Sequence, residues 1–131
     1  NINIVIISNS PKTLEENFSE ISQESIIRGK VLGWYANTNE QAVYEITNEE
    51  TGIISKPIYS YTWYEFIDFE KEIETSDCLK FKLSNDDLAL PYILFYPSGE
   101  TTGAKFTFYN NNQKYNFDLT HGGEFLRTDE F

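Results

Sequence analysis

Methionine is absent from this chain of 131 residues, and cysteine and histidine each occur only once. One cysteine cannot form a disulfide within the chain, so intrachain disulfides are excluded. We expect Cys78 to be a buried or half-buried structural thiol. Because a natural chain begins with methionine, we also expect the sequence to be a processed or truncated fragment that lacks its true N-terminus.

Basic residues are scarce as well. Ten lysines and arginines stand against 21 aspartates and glutamates, which gives a formal charge of −11. Nucleic-acid binding needs clustered basic residues to displace counterions from phosphates, and here they are scattered. We therefore expect no nucleic-acid partner, and anionic lipid headgroups are disfavoured for the same reason. The acidity by itself keeps a domain soluble without specifying a partner.

Long hydrophobic runs are missing too. The longest apolar run near the start, Ile4 to Ile7, is far shorter than the roughly 20 residues that a membrane-spanning helix requires. Two interpretations of residues 1–9 remain open. They form a first strand, or they are the remnant of a longer apolar anchor segment.

Motifs for catalysis or ligand binding are also lacking. The single histidine, His121, lies near Asp118, but Ser98 lacks the Gly-x-Ser-x-Gly motif of a serine nucleophile. We therefore expect His121 to be a surface loop residue. No glycine-rich phosphate loop or zinc pattern is present, so the sequence predicts no catalytic residue, no metal and no cofactor.

One stretch is rich in carboxylates. Calcium sites gather six or more oxygens on a loop that usually contains glycine, whereas this stretch has no glycine and is interrupted by apolar residues. We interpret it as a solvent-exposed face, formed by Glu65, Asp68, Glu70, Glu72, Glu74 and Asp77.

The chain does contain the material for a packed core. Hydrophobic residues make up 40% of it and aromatic residues 16%. Its length fits a single domain over residues 1–131, which can bury on the order of two-thirds of its unfolded surface.

An amphipathic helix is predicted over residues 11–29. Ser10 is a suitable N-cap, Pro11 suits the first helical position, and Gly29 suits the position after the last turn. Apolar residues recur at spacings of four and three and continue into the last turn. The packing face consists of Leu14, Phe18 and Ile21, which Ile26 and Ile27 extend.

Residues 31–131 are predicted to form a β-rich head. Segments 31–36, 41–47, 79–83, 91–96, 105–109 and 115–119 read as strands, whereas residues 59–73 fit neither helical nor strand period. Strict alternation at 79–83 predicts a strand with its lysines facing water. The predicted architecture is therefore α+β, with an N-terminal amphipathic helix packed on antiparallel β-sheet.

The strand that begins at Pro91 ends at a Pro-Ser-Gly turn. Pro97 cannot donate to a strand ladder, and Gly99 permits the positive φ that a tight turn often needs. The order of parts is unusual: one N-terminal helix, then strands, then this turn.

In this order the parts resemble the periplasmic domain of the H-type minor pseudopilin of type II secretion systems, in the family that it shares with FimT-like minor pilins. The first block, residues 24–33, is similar to the family's helix end and first strand. The second, residues 93–102, is similar to its Phe-x-Pro-x-Gly turn and contains Pro97, Ser98 and Gly99. Trp63 lies where many members carry a tryptophan.

The resemblance implies a pilin-like fold and a structural role without enzymatic activity. Such proteins are made as prepilins, cleaved by a prepilin peptidase and held in the Gram-negative inner membrane by an N-terminal helix. They assemble with other minor pseudopilins and the major pseudopilin into a periplasmic pseudopilus that exports folded proteins. The family's cleavage motif and anchor helix are absent from this sequence.

On this interpretation the helix supplies the fibre axis through Leu14, Phe18 and Ile21, and its opposite face contacts neighbouring subunits. Partner-facing loops are expected around Asn37, Asn39, His121 and Glu124. Two alternatives stay open. One is a minor type IV pilin, including DNA-uptake variants, and the other is a secreted carbohydrate-binding module or hydrolase with an aromatic platform or acid pair.

Overall fold

A computed structural model describes residues 12–48, 53–85 and 91–128, so the predictions for residues 1–9, Ser10 and Pro11 lie outside the described residues. Within these ranges one helix is followed by nine strands. Helix α1 spans Leu14–Arg28, and no described helix is long and apolar enough to cross a membrane. Strands β1 to β9 span Leu32–Ala36, Glu40–Asn48, Ile53–Thr62, Glu70–Thr75, Lys80–Lys82, Ile93–Phe95, Ala104–Tyr109, Lys114–Leu119 and Phe125–Arg127.

The strands form two antiparallel sheets. The first has the order β3-β2-β1-β6, and the second has the order β5-β4-β7-β8-β9. Each sheet contains neighbouring strands that are distant in sequence: β6 pairs with β1 in the first sheet, and β7 pairs with β4 in the second. The predicted α+β architecture, a helix packed on antiparallel sheet, is confirmed.

The helix begins three residues later than predicted, because Thr13 and not Ser10 is its N-cap. The Thr13 hydroxyl accepts a hydrogen bond from the backbone N–H of Glu16, and the Glu16 carboxylate accepts one from the N–H of Thr13. This capping box satisfies two N–H groups at the helix start. The pair Ser10-Pro11 offered an equally suitable start, so sequence alone did not separate the two.

Gly29 ends the helix as predicted, with the left-handed φ of 66°. One turn earlier, Ser25 is fully buried, and its hydroxyl lies 2.6 Å from the carbonyl oxygen of Lys30 and 3.0 Å from that of Phe95. The helix end is therefore attached to β6.

Ile26 and Ile27 do not extend the buried face, contrary to the prediction. Their side chains are 51% and 78% exposed. After Ile21 the next buried position is Ser25, and at about 100° per residue the two isoleucines turn away from the sheets. The buried face of the helix thus includes Ser25, which a prediction based on apolar residues alone does not find.

Phe18 occupies the centre of the core. Its ring centroid lies between 5.3 and 5.9 Å from Trp34 and Phe95 of the first sheet and from Phe106 and Phe125 of the second. These are favourable distances for aromatic pairs. Helix α1 therefore packs against the inner faces of both sheets.

Strand β1 is buried along its whole length. Close packing reaches its backbone at Gly33, where a Cβ atom would lie 3.0 Å from Ile46 Cδ1 and 3.1 Å from Pro91 Cβ. A Cβ at this position would force these neighbours to shift by a few tenths of an ångström, so the close packing favours glycine.

The segment 59–73, which fitted neither period, contains the end of β3, a loop and the start of β4. In the loop, Trp63 is buried, and Phe66 has a φ of 58°, which is rare for a bulky residue. The Phe66 ring stacks on Phe108 with centroids 4.2 Å apart. Because stacking in an irregular loop sets these orientations, no simple period describes the segment.

The strand predicted at 79–83 is shorter and more exposed than expected. Strand β5 has three residues, and its apolar neighbours do not form a buried face, since Leu79 and Phe81 are exposed and only Leu83 is buried. Lys80 and Lys82 are exposed as predicted. An edge strand of this kind contributes little to the core.

Cys78 is exposed, and the expectation of a buried thiol was wrong. It lies in the turn between β4 and β5, with a φ of 63° and its N–H donated to the carbonyl oxygen of Thr75. The conformation of Cys78 is therefore determined by the geometry of its turn and not by packing in the core.

Candidate assembly surfaces

The packing face of the helix lies inside the domain. Leu14, Phe18 and Ile21 are each at most 2% exposed and belong to the core cluster. Because the two sheets cover these side chains, a neighbouring subunit cannot reach them. Any contact that α1 makes with another molecule must use its opposite side, which carries Ile26 and Ile27.

The Pro-Ser-Gly turn and the loop after β8 meet at the C-terminal end of the helix. Gly99 has a φ of 92°, as its turn requires, and its carbonyl oxygen would lie 3.5 Å from a Cβ at Gly123. The N–H of Thr101 donates to the carbonyl oxygen of His121 at 2.8 Å. A Cβ at Gly99 would lie 3.8 Å from Ile26 Cδ1. Ile26 therefore adjoins the predicted turn, and this turn contacts the predicted loop.

Asn37 and Asn39 lie at the other end of the helix. The Asn37 side-chain oxygen accepts hydrogen bonds at 2.8 Å from the N–H groups of Asn39 and Glu40, and its carbonyl oxygen accepts one from the Trp63 indole. Two residues further on, Glu65 accepts a 2.7 Å hydrogen bond from the N–H of Leu14. The two predicted partner-facing loops thus lie at opposite ends of α1.

Sequence reasoning missed the loop between β3 and β4 as a surface feature. It buries Trp63 and stacks Phe66 inward, but it exposes 54% of Tyr64 and 64% of Ile67. Backbone strain at a bulky residue persists only where the surroundings fix it, and it often marks a functional segment. The sequence contained one signal for this loop: the segment is rich in aromatic residues but has no regular period.

Lys71 is a second residue that sequence reasoning missed. Its side chain is almost fully buried, its ammonium donates to the carbonyl oxygen of Phe69 at 3.0 Å, and it lies 5.0 Å above the centre of the Trp63 ring. Burial lowers the pKa of this lysine because it disfavours the charged form. The residue links β4 to the loop that carries Tyr64 and Ile67.

Two tyrosine hydroxyls are buried without hydrogen-bond partners in the described part of the chain, those of Tyr59 and Tyr61 on β3. Burial raises the pKa of both phenols, and for Tyr59 the neighbouring Tyr61 adds to the rise. The Trp34 indole lies close enough to Tyr61 to lower its pKa in part, but this indole N–H donates to Gln41 and leaves the Tyr61 hydroxyl without a partner of good geometry. Glu20 and Glu24 of α1 also raise the pKa of Tyr59. The acidic side of α1 therefore influences β3 electrostatically.

The residues with possible chemistry do not form a catalytic arrangement. His121 is exposed and its Nδ1 lies 3.0 Å from the carbonyl oxygen of Thr101, whereas Ser98 hydrogen-bonds with Glu100. Cys78 and His121 line one open cleft. Across residues 12–48, 53–85 and 91–128, no group of three metal-ligating side chains is found.

No protein-family model matches the sequence, and no curated protein matches it. Solved structures do resemble it. The minor pseudopilin EpsH from the type II secretion system of Vibrio cholerae has a TM-score of 0.61 at 13% identity, over 87% of this chain and 89% of EpsH. A second EpsH structure has a TM-score of 0.61 at 15% identity, over 86% and 88%.

A type IV minor pilin is also similar. FimU of Pseudomonas aeruginosa has a TM-score of 0.57 at 9% identity, over 88% of this chain and 83% of FimU. At such identities the likeness is one of fold, and it extends over most of each chain. The predicted resemblance is confirmed at this level: the chain has the pilin-like α+β fold of the minor pseudopilin EpsH and the minor pilin FimU.

Proposed function

We propose that this chain is a minor pseudopilin that assembles into the periplasmic pseudopilus of a type II secretion system and supports export of folded proteins across the outer membrane. The observation that carries the proposal is the fold shared with EpsH over nearly the whole of both chains. Because one fold can host several functions, the surface has to support the assignment as well.

The surface offers places for assembly. One side of α1 packs on the sheets, and the other side exposes Ile26, beside the Pro-Ser-Gly turn, and Ile27. At the other end of the helix, Tyr64 and Ile67 are exposed on a loop that Glu65 ties to the helix start. In the proposal, these two apolar surfaces contact other minor pseudopilins and the major pseudopilin.

The role we propose is steric and interfacial, without enzymatic activity or a cofactor. The domain would lie in the periplasm, held at the Gram-negative inner membrane by an apolar helix that precedes it. In support of an assembly role, the apolar side chains at both ends of α1 offer contact area, while His121 and Ser98 bond only to nearby loop groups.

A minor type IV pilin is the second candidate, and the likeness to FimU favours it. A carbohydrate-binding module has less support. Stacking of sugars needs a platform of exposed aromatic rings. In the described ranges, Tyr64 and Phe81 are the aromatic residues with strongly exposed side chains.

Deletion of the gene in its own bacterium separates the two leading candidates. If the chain is a minor pseudopilin, exported enzymes should accumulate in the periplasm, and the full-length gene on a plasmid should restore their export. Twitching motility and DNA uptake should be unchanged. The reverse pattern would assign the chain to a type IV pilus, and normal behaviour in all three assays would refute both assignments.

The start of the gene provides an independent test. A pilin-like subunit should begin with a short basic leader ending in glycine, followed by about 20 apolar residues with an early glutamate. An ordinary cleaved secretory signal peptide at that place would contradict the proposal and favour a secreted module.

A further inference from the structure

The outer face of the second sheet is electrically balanced, although the chain as a whole is strongly acidic. Side chains alternate along each strand, so the face opposite α1 can be read from the register. Its charged members are four lysines and four carboxylates: Lys80, Lys82, Lys105, Lys114, Glu70, Glu72, Glu74 and Asp118. Since the chain carries a net −11, all of the excess negative charge lies elsewhere.

Four of these residues form one row across the strands. Lys80 pairs in register with Glu74, Glu74 with Lys105, and Lys105 with Asp118. The row therefore crosses β5, β4, β7 and β8 with charges that alternate from positive to negative. All four side chains line one open groove on this face.

Among the described residues, the charged ends in this row form no close ion pair. On the same face, Lys82 forms a 2.8 Å ion pair with Glu70, and the Tyr109 hydroxyl donates to Glu72. By contrast, none of the four row residues takes part in the ion pairs found among the described residues. Their charged ends are available to an external partner.

We propose that this face binds a second copy of the chain, face to face, about a two-fold axis that runs parallel to the strands between β4 and β7. Such an axis places the row of one copy opposite the same row of the second copy, with the order of the strands reversed. Lys80 then faces Asp118 of the second copy, and Glu74 faces Lys105 of the second copy, which gives four ion pairs. An axis shifted by half a strand spacing, onto β4 or β7, places like charges opposite each other.

The rest of the face accepts the same arrangement. The second row then places Glu72 opposite Thr107, and Lys82 opposite Asn116, so no like charges meet. Stacked sheets are rotated by about 30° and diverge away from the axis, so the central pair of Glu74 and Lys105 is in the closest contact.

Long-range electrostatics also favours this face over the others. Two molecules that each carry −11 repel each other, and the repulsion is least where the facing surfaces are neutral. The face points away from α1, because the inner side of the same sheet contacts Phe18 through Phe106 and Phe125. The pairing therefore leaves the helix free and is independent of the proposed pseudopilin role.

Sedimentation of the 131-residue chain tests the pairing. Exposed ion pairs are individually weak, so we expect a dimer with a Kd of about 1 mM. It should form at about 0.1 M salt, where a Debye length of about 10 Å screens the repulsion between whole molecules more than the contacting ion pairs, and dissociate at about 1 M salt, where the Debye length falls to about 3 Å. A chain that remains monomeric at about 1 mM protein and about 0.1 M salt overturns the proposal.

Charge exchange within the row tests the register. Glu74→Lys should weaken the dimer at least tenfold, and the double variant Glu74→Lys/Lys105→Glu should regain it. When the double variant is mixed with the wild-type chain, no mixed dimer should form, because the two central contacts, between positions 74 and 105, would then join like charges. The control Glu100→Lys makes the same change in net charge on an exposed turn and should leave dimerisation equal to or stronger than that of the wild type.

Failure of the double variant to regain dimerisation, or free mixing with the wild-type chain, would refute the two-fold register. Circular dichroism of each variant checks that the sheet is intact. Export assays in the deletion strain are expected to be unaffected by these substitutions, so a negative result here leaves the pseudopilin proposal standing.

Discussion

The hydroxyl oxygen of Ser25 lies 3.0 Å from the carbonyl oxygen of Phe95, across 70 residues of sequence. Phe95 is the last residue of β6, two residues before Pro97. The same hydroxyl lies 2.6 Å from the carbonyl oxygen of Lys30, just beyond the helix end. One small side chain thus fixes the helix end relative to the strand that leads into the Pro-Ser-Gly turn.

Ser25→Ala should destabilise the domain by about 1–3 kcal/mol, because it removes the one hydroxyl proton that the buried carbonyl oxygen of Phe95 and the part-buried one of Lys30 share. Ser19→Ala, on the exposed side of the same helix, is the matched control and should change stability by less than about 0.5 kcal/mol. Urea unfolding followed by circular dichroism measures both. Equal effects of the two substitutions would show that the Ser25 bonds contribute little.

Gly33→Ala should destabilise the domain by about 1–3 kcal/mol, since the new methyl would press against Ile46 and Pro91. The matched control is Gly122→Ala, where the nearest atom is Thr120 Oγ1 at 3.8 Å. Thermal unfolding of the two variants should therefore differ clearly. A Gly33→Ala protein as stable as the wild type would mean that β1 has room to shift.

Tyr61→Phe should leave stability at pH 7 unchanged or raise it by about 1 kcal/mol, because it removes a buried hydroxyl that has no described partner. Tyr64→Phe, at an exposed site, is the control and should have no effect. A loss of stability in Tyr61→Phe would show that the hydroxyl is bonded, for example to ordered water.

The raised pKa of Tyr61 also predicts how the free energy of unfolding depends on pH in the alkaline range. Burial raises the pKa of Tyr61 in the folded state, so above about pH 10 the unfolded chain loses its phenol proton first. Stability is then complete below pH 10 and falls as pH rises, by about 1.4 kcal/mol per unit for each such group. Tyr61→Phe should reduce this slope in unfolding curves between pH 9 and 11, and an unchanged slope would contradict the assignment.

Cys78→Gly should stabilise the domain by roughly 0.5–1 kcal/mol, because glycine adopts the left-handed φ of this turn without steric cost. Cys78→Ala keeps the strain and serves as the control. Chemical unfolding compares the two variants. The opposite order of stabilities would mean that the thiol makes a contact that outweighs the strain.

The features that the sequence predicted correctly are those set by local chemistry. Gly29 ends the helix, the segments at 105–109 and 115–119 form strands, and Gly99 provides the positive φ of its turn. Each depends on a few neighbouring residues, so no knowledge of distant contacts is needed.

The predictions failed where contacts between residues distant in sequence determine which side chains are buried. Ile26 and Ile27 match an apolar stripe, but the sheets accept Ser25 instead, because its hydroxyl reaches strand β6. Lys71 would be placed on a solvent face by charge alone, yet Trp63 and the carbonyl of Phe69 hold it inside. The surface at Tyr64 and Ile67 depends on Phe66 stacking on Phe108, which sequence alone does not reveal.

Thr13 determines how mechanical load enters the domain. Its backbone is extended, with φ −71° and ψ 163°, so the helical path stops there. A pull at Thr13 therefore acts on the capping box with Glu16 and on the hydrogen bond from the N–H of Leu14 to Glu65, which shares the load with the loop between β3 and β4.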